Sequence, residues 1–220
     1  MELFHVFNRG VEKRSIFMNN SDRARFVHDL FEFNDTAPAG NAYRRFNPSM
    51  MEIRSPSLGR SPIVDVHGWC LMGNHYHLLL SERVEGGLSL FSRRLNVGYA
   101  MYFNEKHRRS GVLFQGRTKK IPITSDAHFL HILHYIHLNP LDFHKESGDW
   151  RDMSIANHER ALRYLDGYRW SSYLDYCGKD NFPSVVTKEL FSDVFKNYRK
   201  KISSYLKDME LDTIKPFLLE

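Results

Sequence analysis

Apolar and polar positions alternate along "LFHVFNRG", residues 3 to 10, which predicts a first strand ended by Gly10. In "NSDRARFVHDLFEFND" the period lengthens: Phe26, Leu30 and Phe33 recur at helical spacing behind Ser21, a residue suited to an N-cap. Two strongly apolar runs, "IVDVHGWCLM" and "HYHLLLSE", flank Gly73 and Asn74, where a tight turn is easy, and so predict a β-hairpin. Leu88, Phe91, Leu95, Tyr99, Tyr102 and Phe103 mark one face of a helix reaching about His107. An extended segment, "GVLFQGRTKKIPI", follows it. "SDAHFLHILHYIHLNP" then predicts a short helix with an acid in its first turn, stopped by Pro140. Leu190, Val194, Tyr198, Ile202 and Leu206 repeat every four residues and predict an amphipathic helix over 187–208. Residues 36–61 carry Pro, Gly, Ser and Arg without apolar periodicity and are expected to form a long mobile loop, an insertion rather than part of the core.

The order strand, helix, strand, strand, helix, strand is that of an α+β, ferredoxin-like split βαβ unit, with an antiparallel sheet and helices on one face. A main domain over 1–145 and a mainly helical C-terminal extension over 146–220, packed on or beside it, complete the expected organisation.

Composition narrows the setting. The chain has 220 residues, enough for one well-packed core with an appendage. Its net charge of +5 suits a polyanionic partner without requiring one. The 2 cysteines, Cys70 and Cys177, form no CxxC pair, which favours a reducing compartment over a disulfide framework. "MELFHVFNRG" lacks the charged start and apolar stretch of a signal peptide, and no apolar run approaches the ~20 residues of a bilayer crossing. The expectation is a cytoplasmic protein that does not engage a membrane.

Within the hairpin, "GNHYHLLL" places His75 and His77 two apart, hence on one face of a strand. Two imidazoles there can converge on one cation at about 2.0–2.2 Å from each nitrogen. Two hydrogen-bonded histidines in a crowded sheet would leave the same pattern. In "HILHYIHLNP", His131, Tyr135 and Asn139 fall at i, i+4 and i+8, on one helical face. Tyr135 as core and Asn139 as a helix stop account for those residues separately. Arg93, Arg94, Lys106, Arg108, Arg109, Arg117, Lys119 and Lys120 cluster around the second helix and the following strand, with aromatic residues interleaved. That combination suits phosphate contacts and base stacking along a single strand, and a solvated helix face would also carry the arginines.

Taken together, "NHYH" resembles the histidine, bulky residue, histidine motif of the HUH single-tyrosine transposases. "HYIHLNP" resembles the tyrosine-bearing helix of their REP-associated tyrosine transposase branch. "FNRGVEKRSIF", "HGWCLMGNHYHLLL", "YFNEKHRRSGVLFQGRTKK" and "YRWSSY" extend the likeness over most of residues 3–176.

The resemblance implies that His75 and His77 hold a divalent cation, Mg2+ or Mn2+, with Asn139 as third ligand, and that Tyr135 attacks a DNA phosphodiester. Related enzymes use Gln, Glu or His at the third position, and an aliphatic residue is more usual where this chain has Tyr76. His131 is the candidate assisting base, since it shares the face of Tyr135. The implied substrate is single-stranded or hairpin DNA, cleaved and rejoined in the bacterial nucleoid by a monomer or a homodimer. A hairpin-binding protein with little catalysis and a metal-dependent phosphodiester hydrolase using water remain the alternatives. Tyr99 and Tyr102 are rival nucleophiles, but four residues after them stand Phe103 and Lys106, neither suited to completing a metal shell.

Overall fold

The structure, a computed structural model, describes residues 1–38, 59–145, 147–152 and 155–208. Four strands, β1 (Leu3–Arg9), β2 (Val64–Leu71), β3 (His75–Glu82) and β4 (Lys119–Pro122), form one sheet in the order β2-β3-β1-β4. Every neighbouring pair is antiparallel. Helix α1 (Asn20–Glu32) links β1 to β2 and α2 (Gly87–Lys106) links β3 to β4. The sheet is thus ferredoxin-like, as the element order predicts.

Period-two alternation sorts the sheet residues. Val6, Tyr76, Leu78 and Leu80 join Phe26, Leu30, Phe91, Leu95 and Tyr99 in a core beneath α1 and α2. Leu79 and Cys70 join a second core with α3 (Asp126–Leu138). Helices α4 (His158–Gly167), α5 (Tyr173–Tyr176), α6 (Glu189–Ser192) and α7 (Tyr198–Asp208) contribute to the same second core. Helices therefore cover both faces of the sheet, where the sequence suggested one. The histidine-rich third helix is too apolar to remain on an open surface: eight of its residues, from His128 to Leu138, are buried.

Two local expectations are corrected. The N-cap of α1 is Asn19, not Ser21: its side chain accepts from the Asp22 amide while Asp22 reaches back to the Asn19 N–H, a reciprocal box that Ser21 is not placed to make. The helix expected over 187–208 is broken into α6 and α7. Asn197 between them has φ of 55° and its side chain accepts from the Lys200 amide, while Phe191 and Phe195 take the buried positions and leave Val194 exposed. Most of the insertion expected over 36–61, with Arg44, Arg45 and Arg54, lies outside the described residues. Its two ends meet, since the Thr36 amide donates to the Ser61 carbonyl at 2.8 Å. Arg60 lies over the Phe31 ring at 3.7 Å.

Candidate active site

Strand β3 directs His75, His77 and Leu79 toward the α3 face. Its neighbour β1 contributes to the same face, because Phe7 pairs with His77 and Arg9 with His75. The result is a row of rings under α3. His75 stands edge-on to His77 at 4.8 Å between centroids, and His5 stacks on His77 at 5.1 Å. From α3, the Tyr135 ring meets His77 at 5.8 Å and His5 at 5.9 Å, nearly perpendicular to both. The sequence-predicted His75, His77 and Tyr135 thus come together within one chain.

His5 was not singled out from the sequence. Its Nε2 lies 2.9 Å from His77 Nδ1, and both side chains are fully buried. On the other imidazole, His75 Nδ1 lies 2.7 Å from Asn74 Oδ1. Each histidine of the pair is therefore fixed through Nδ1, the arrangement in which Nε2 is the coordinating nitrogen. Among the described residues no three His, Cys, Asp or Glu side chains are grouped to hold a metal ion. The donor set present fits a divalent cation through two imidazoles, with further positions left to water or substrate oxygen.

Asn139 is placed differently from the expected ligand. It is the C-cap of α3, its amide donates to the Tyr135 carbonyl at 2.8 Å, and its oxygen accepts from Arg151 at 2.6 Å. Arg151 also lies over the rings of Trp150, at 4.5 Å, and Tyr135, at 5.8 Å. It also pairs with Asp142, which holds the guanidinium beside the phenol, where it is suited to a phosphate oxygen. It lies beyond the motif helix and had no sequence signal. His131 meets α7, where its Nδ1 lies 3.1 Å from the Tyr205 hydroxyl. Burial lowers its pKa, which favours the neutral imidazole.

The rival tyrosines lie on the other side of the sheet. Tyr99 is buried under α1, donates to the Ile16 carbonyl at 2.5 Å, and is held well above the usual phenol range, chiefly by burial. Tyr102 contacts Asp22 and Lys106.

The basic residues divide. Arg93, Arg117, Lys119 and Lys120 line an open groove of about 670 Å³ between α2 and the β4 edge, together with Ser89, Asn96 and Thr118. Lys119 pairs with Phe7 across β1, and Phe7 in turn with His77, so this lysine stands on the histidine face. Arg94 instead donates to the Asp35 carbonyl, at 2.5 Å, and Arg109 to Asn104, at 2.6 Å. Arg108 is exposed just past the end of α2, with φ of 49°. Among the described residues, no helix is long and apolar enough to cross a membrane.

The sequence matches no protein-family profile. It also matches no curated protein. Among solved structures, the chain is similar to a REP-associated tyrosine transposase bound to a REP hairpin, at 11% identity over 84% of each chain, with a TM-score of 0.47.

Proposed function

We propose that this chain cleaves and rejoins single-stranded DNA, in the flank of a hairpin, using Tyr135 as nucleophile. One observation carries the reading: Tyr135, the tyrosine of the motif helix, stands edge-on to His77, itself in contact with His75, inside a single chain. The choice of hairpin DNA rests on the motif resemblance.

His75 and His77 would hold a divalent cation, Mg2+ or Mn2+, through their Nε2 atoms. Bound there, it supplies polarisation of the scissile phosphate and stabilisation of charge on its oxygens. The Tyr135 oxygen attacks phosphorus, the bond to the 3′-oxygen breaks, and the phenolic proton is passed on so that the leaving strand ends in a 3′-hydroxyl. Reversal by a 3′-hydroxyl rejoins the strand and restores the phenol, with the phosphodiester energy kept in the 5′-phosphotyrosine. Arg151 would steady the phosphate beside Tyr135, and His5, accepting from His77 Nδ1, would leave the Nε2 of His77 for the cation. The groove of Arg93, Arg117, Lys119 and Lys120 would guide the strand over β4 to the histidine face.

A second reading, a hairpin-binding protein with little catalysis, is favoured by the commitment of both Asn139 polar atoms within the chain. Incubation with a set of hairpins bearing single-stranded flanks, with Mn2+ or Mg2+, separates the two on a denaturing gel. A metal-dependent protein–DNA adduct supports cleavage; tight binding without adduct or nicked product supports the second reading.

A further inference from the structure

Beside the hairpin turn lies a cleft of about 460 Å³ whose walls include Arg23 of α1, Phe143, Tyr164 of α4, and Tyr168, Arg169 and Trp170 beyond it. We propose that this cleft receives one unstacked base of the DNA strand, with Arg23 and Arg169 holding its phosphates. The inference rests on the DNA reading of His75, His77 and Tyr135.

The rings form a row, one pair tilted and the other stacked. Phe143 and Tyr168 lie 6.2 Å apart at 31°, and Tyr168 and Tyr164 lie 6.3 Å apart at 26°. Phe143, at one end of the row, is 46% exposed, so its face is open to a ligand. Tyr164 and Tyr168 are half-buried. Trp170 is different: it is buried and stacks on Phe182 at 6.1 Å, so it forms a wall rather than a platform.

Charge completes the chemistry. Arg23 lies close to Tyr164 and its side chain hydrogen-bonds Tyr168, both of which favour the ionised phenols, though burial dominates and raises both. Its Nε is buried and has no hydrogen-bond partner. Arg169 is exposed and lies over the Trp170 ring at 5.3 Å. Aromatic faces flanked by guanidinium groups take a base of any sequence together with its phosphate.

Position links the cleft to the reaction. A side chain begun at Gly73 would stand 3.9 Å from the Phe143 ring, and the Tyr168 hydroxyl donates to the Leu71 carbonyl at 2.5 Å. Gly73 precedes His75 by two residues, in the turn that leads into β3. Phe143 ends the 3₁₀ turn Asn139–Phe143 that follows the Tyr135 helix. The segments carrying the histidines and the tyrosine therefore both reach the cleft, which places the captured base within a few nucleotides of the attacked phosphate.

Hairpins carrying 2-aminopurine at successive flank positions test this, because stacking on aromatic rings quenches its fluorescence. Binding is measured with Tyr135→Phe, so that no cleavage intervenes. One flank position should be quenched; Phe143→Ala and Tyr164→Ala, each checked for an unchanged fold by circular dichroism, should relieve that quenching and weaken binding about 5- to 30-fold. Arg23→Gln should weaken binding and flatten its salt dependence. Bound hairpins with no quenched position, or quenching and affinity unaltered in both aromatic variants, would overturn the cleft assignment while leaving the cleavage reading intact. Quenching without any adduct in the Tyr135 protein would remove cleavage and keep the cleft, whereas no binding of any hairpin would remove both. Concentration-dependent dimerisation abolished by Phe143→Ala would assign the cleft to a second copy instead and also overturn the proposal.

Discussion

His75 and His77 look equivalent in the sequence, but their surroundings separate them. His77 is fully buried among His5, Phe7 and Tyr135, whereas His75 is partly exposed at the start of β3. His75→Ala should abolish cleavage with little change in melting temperature, because it removes a metal donor and little core. His77→Ala should abolish cleavage and also cost about 2–3 kcal/mol, because a cavity opens under α3. Denaturant titration beside the nicking assay distinguishes these outcomes; equal stability losses would contradict the assigned environments. The HxH spacing and the helical spacing of Tyr135 were legible because they depend only on local periodicity. His5 was hidden because its meeting with His77 depends on strand register across 72 residues, and the contacts of Asn139 with the Tyr135 carbonyl and Arg151 were hidden because residue type alone does not separate a possible ligand from a helix cap.

At the scale of elements, β2 decides where Tyr135 sits. The register of β2 on β3 shifts between Val66 and Gly68, so Val66 and Trp69 face the same core although their spacing is odd. This bulge puts Gly68 under α3, where an added Cβ would stand 2.7 Å from Leu133 Cδ1. Gly68→Ala should cost about 1–3 kcal/mol and slow cleavage by lifting α3 from the sheet. In a Leu133→Ala background the same change should cost much less, a coupling that a double-mutant cycle reads directly. Additive losses would show that α3 is positioned otherwise. Strand and helix identities were legible from apolar period; the bulge was not, since a run as apolar as "IVDVHGWCLM" shows no change of phase. The same limit explains α6 and α7, where a four-residue repeat concealed a break at Asn197.

Across the whole molecule, the core between sheet, α3 and extension holds histidines in their neutral form. His134 is stacked on Tyr205 at 4.5 Å, and burial pushes its pKa down to about 4, with the charges of His131 and Lys201 acting in the same direction and the Leu130 carbonyl opposing them. Burial lowers His67 as well. In the unfolded chain a histidine takes up its proton near pH 6.5. Below that pH the unfolded state binds more protons, so stability falls as pH drops from about 6.5 toward about 4 and this contribution then levels off. His134→Phe keeps the stacking and removes the proton site, so its melting temperature should decline less than the parent's between pH 7.5 and pH 5. Parallel declines would place the acid sensitivity elsewhere. The extension belongs to the stability of the site because it closes the core behind the tyrosine helix, a relation that periodicity in the tail alone could not express.

The central claim, that the two imidazoles present a DNA phosphate to Tyr135, is tested most directly by locating the covalent bond. A hairpin adduct formed with Mn2+ should, after digestion and mass spectrometry, carry its nucleotide on the peptide containing "HYIHLNP", at Tyr135, and Tyr135→Phe should form none. Attachment at Tyr99 or Tyr102, or accumulation of free 5′-phosphate ends with full activity in Tyr135→Phe, would contradict the account.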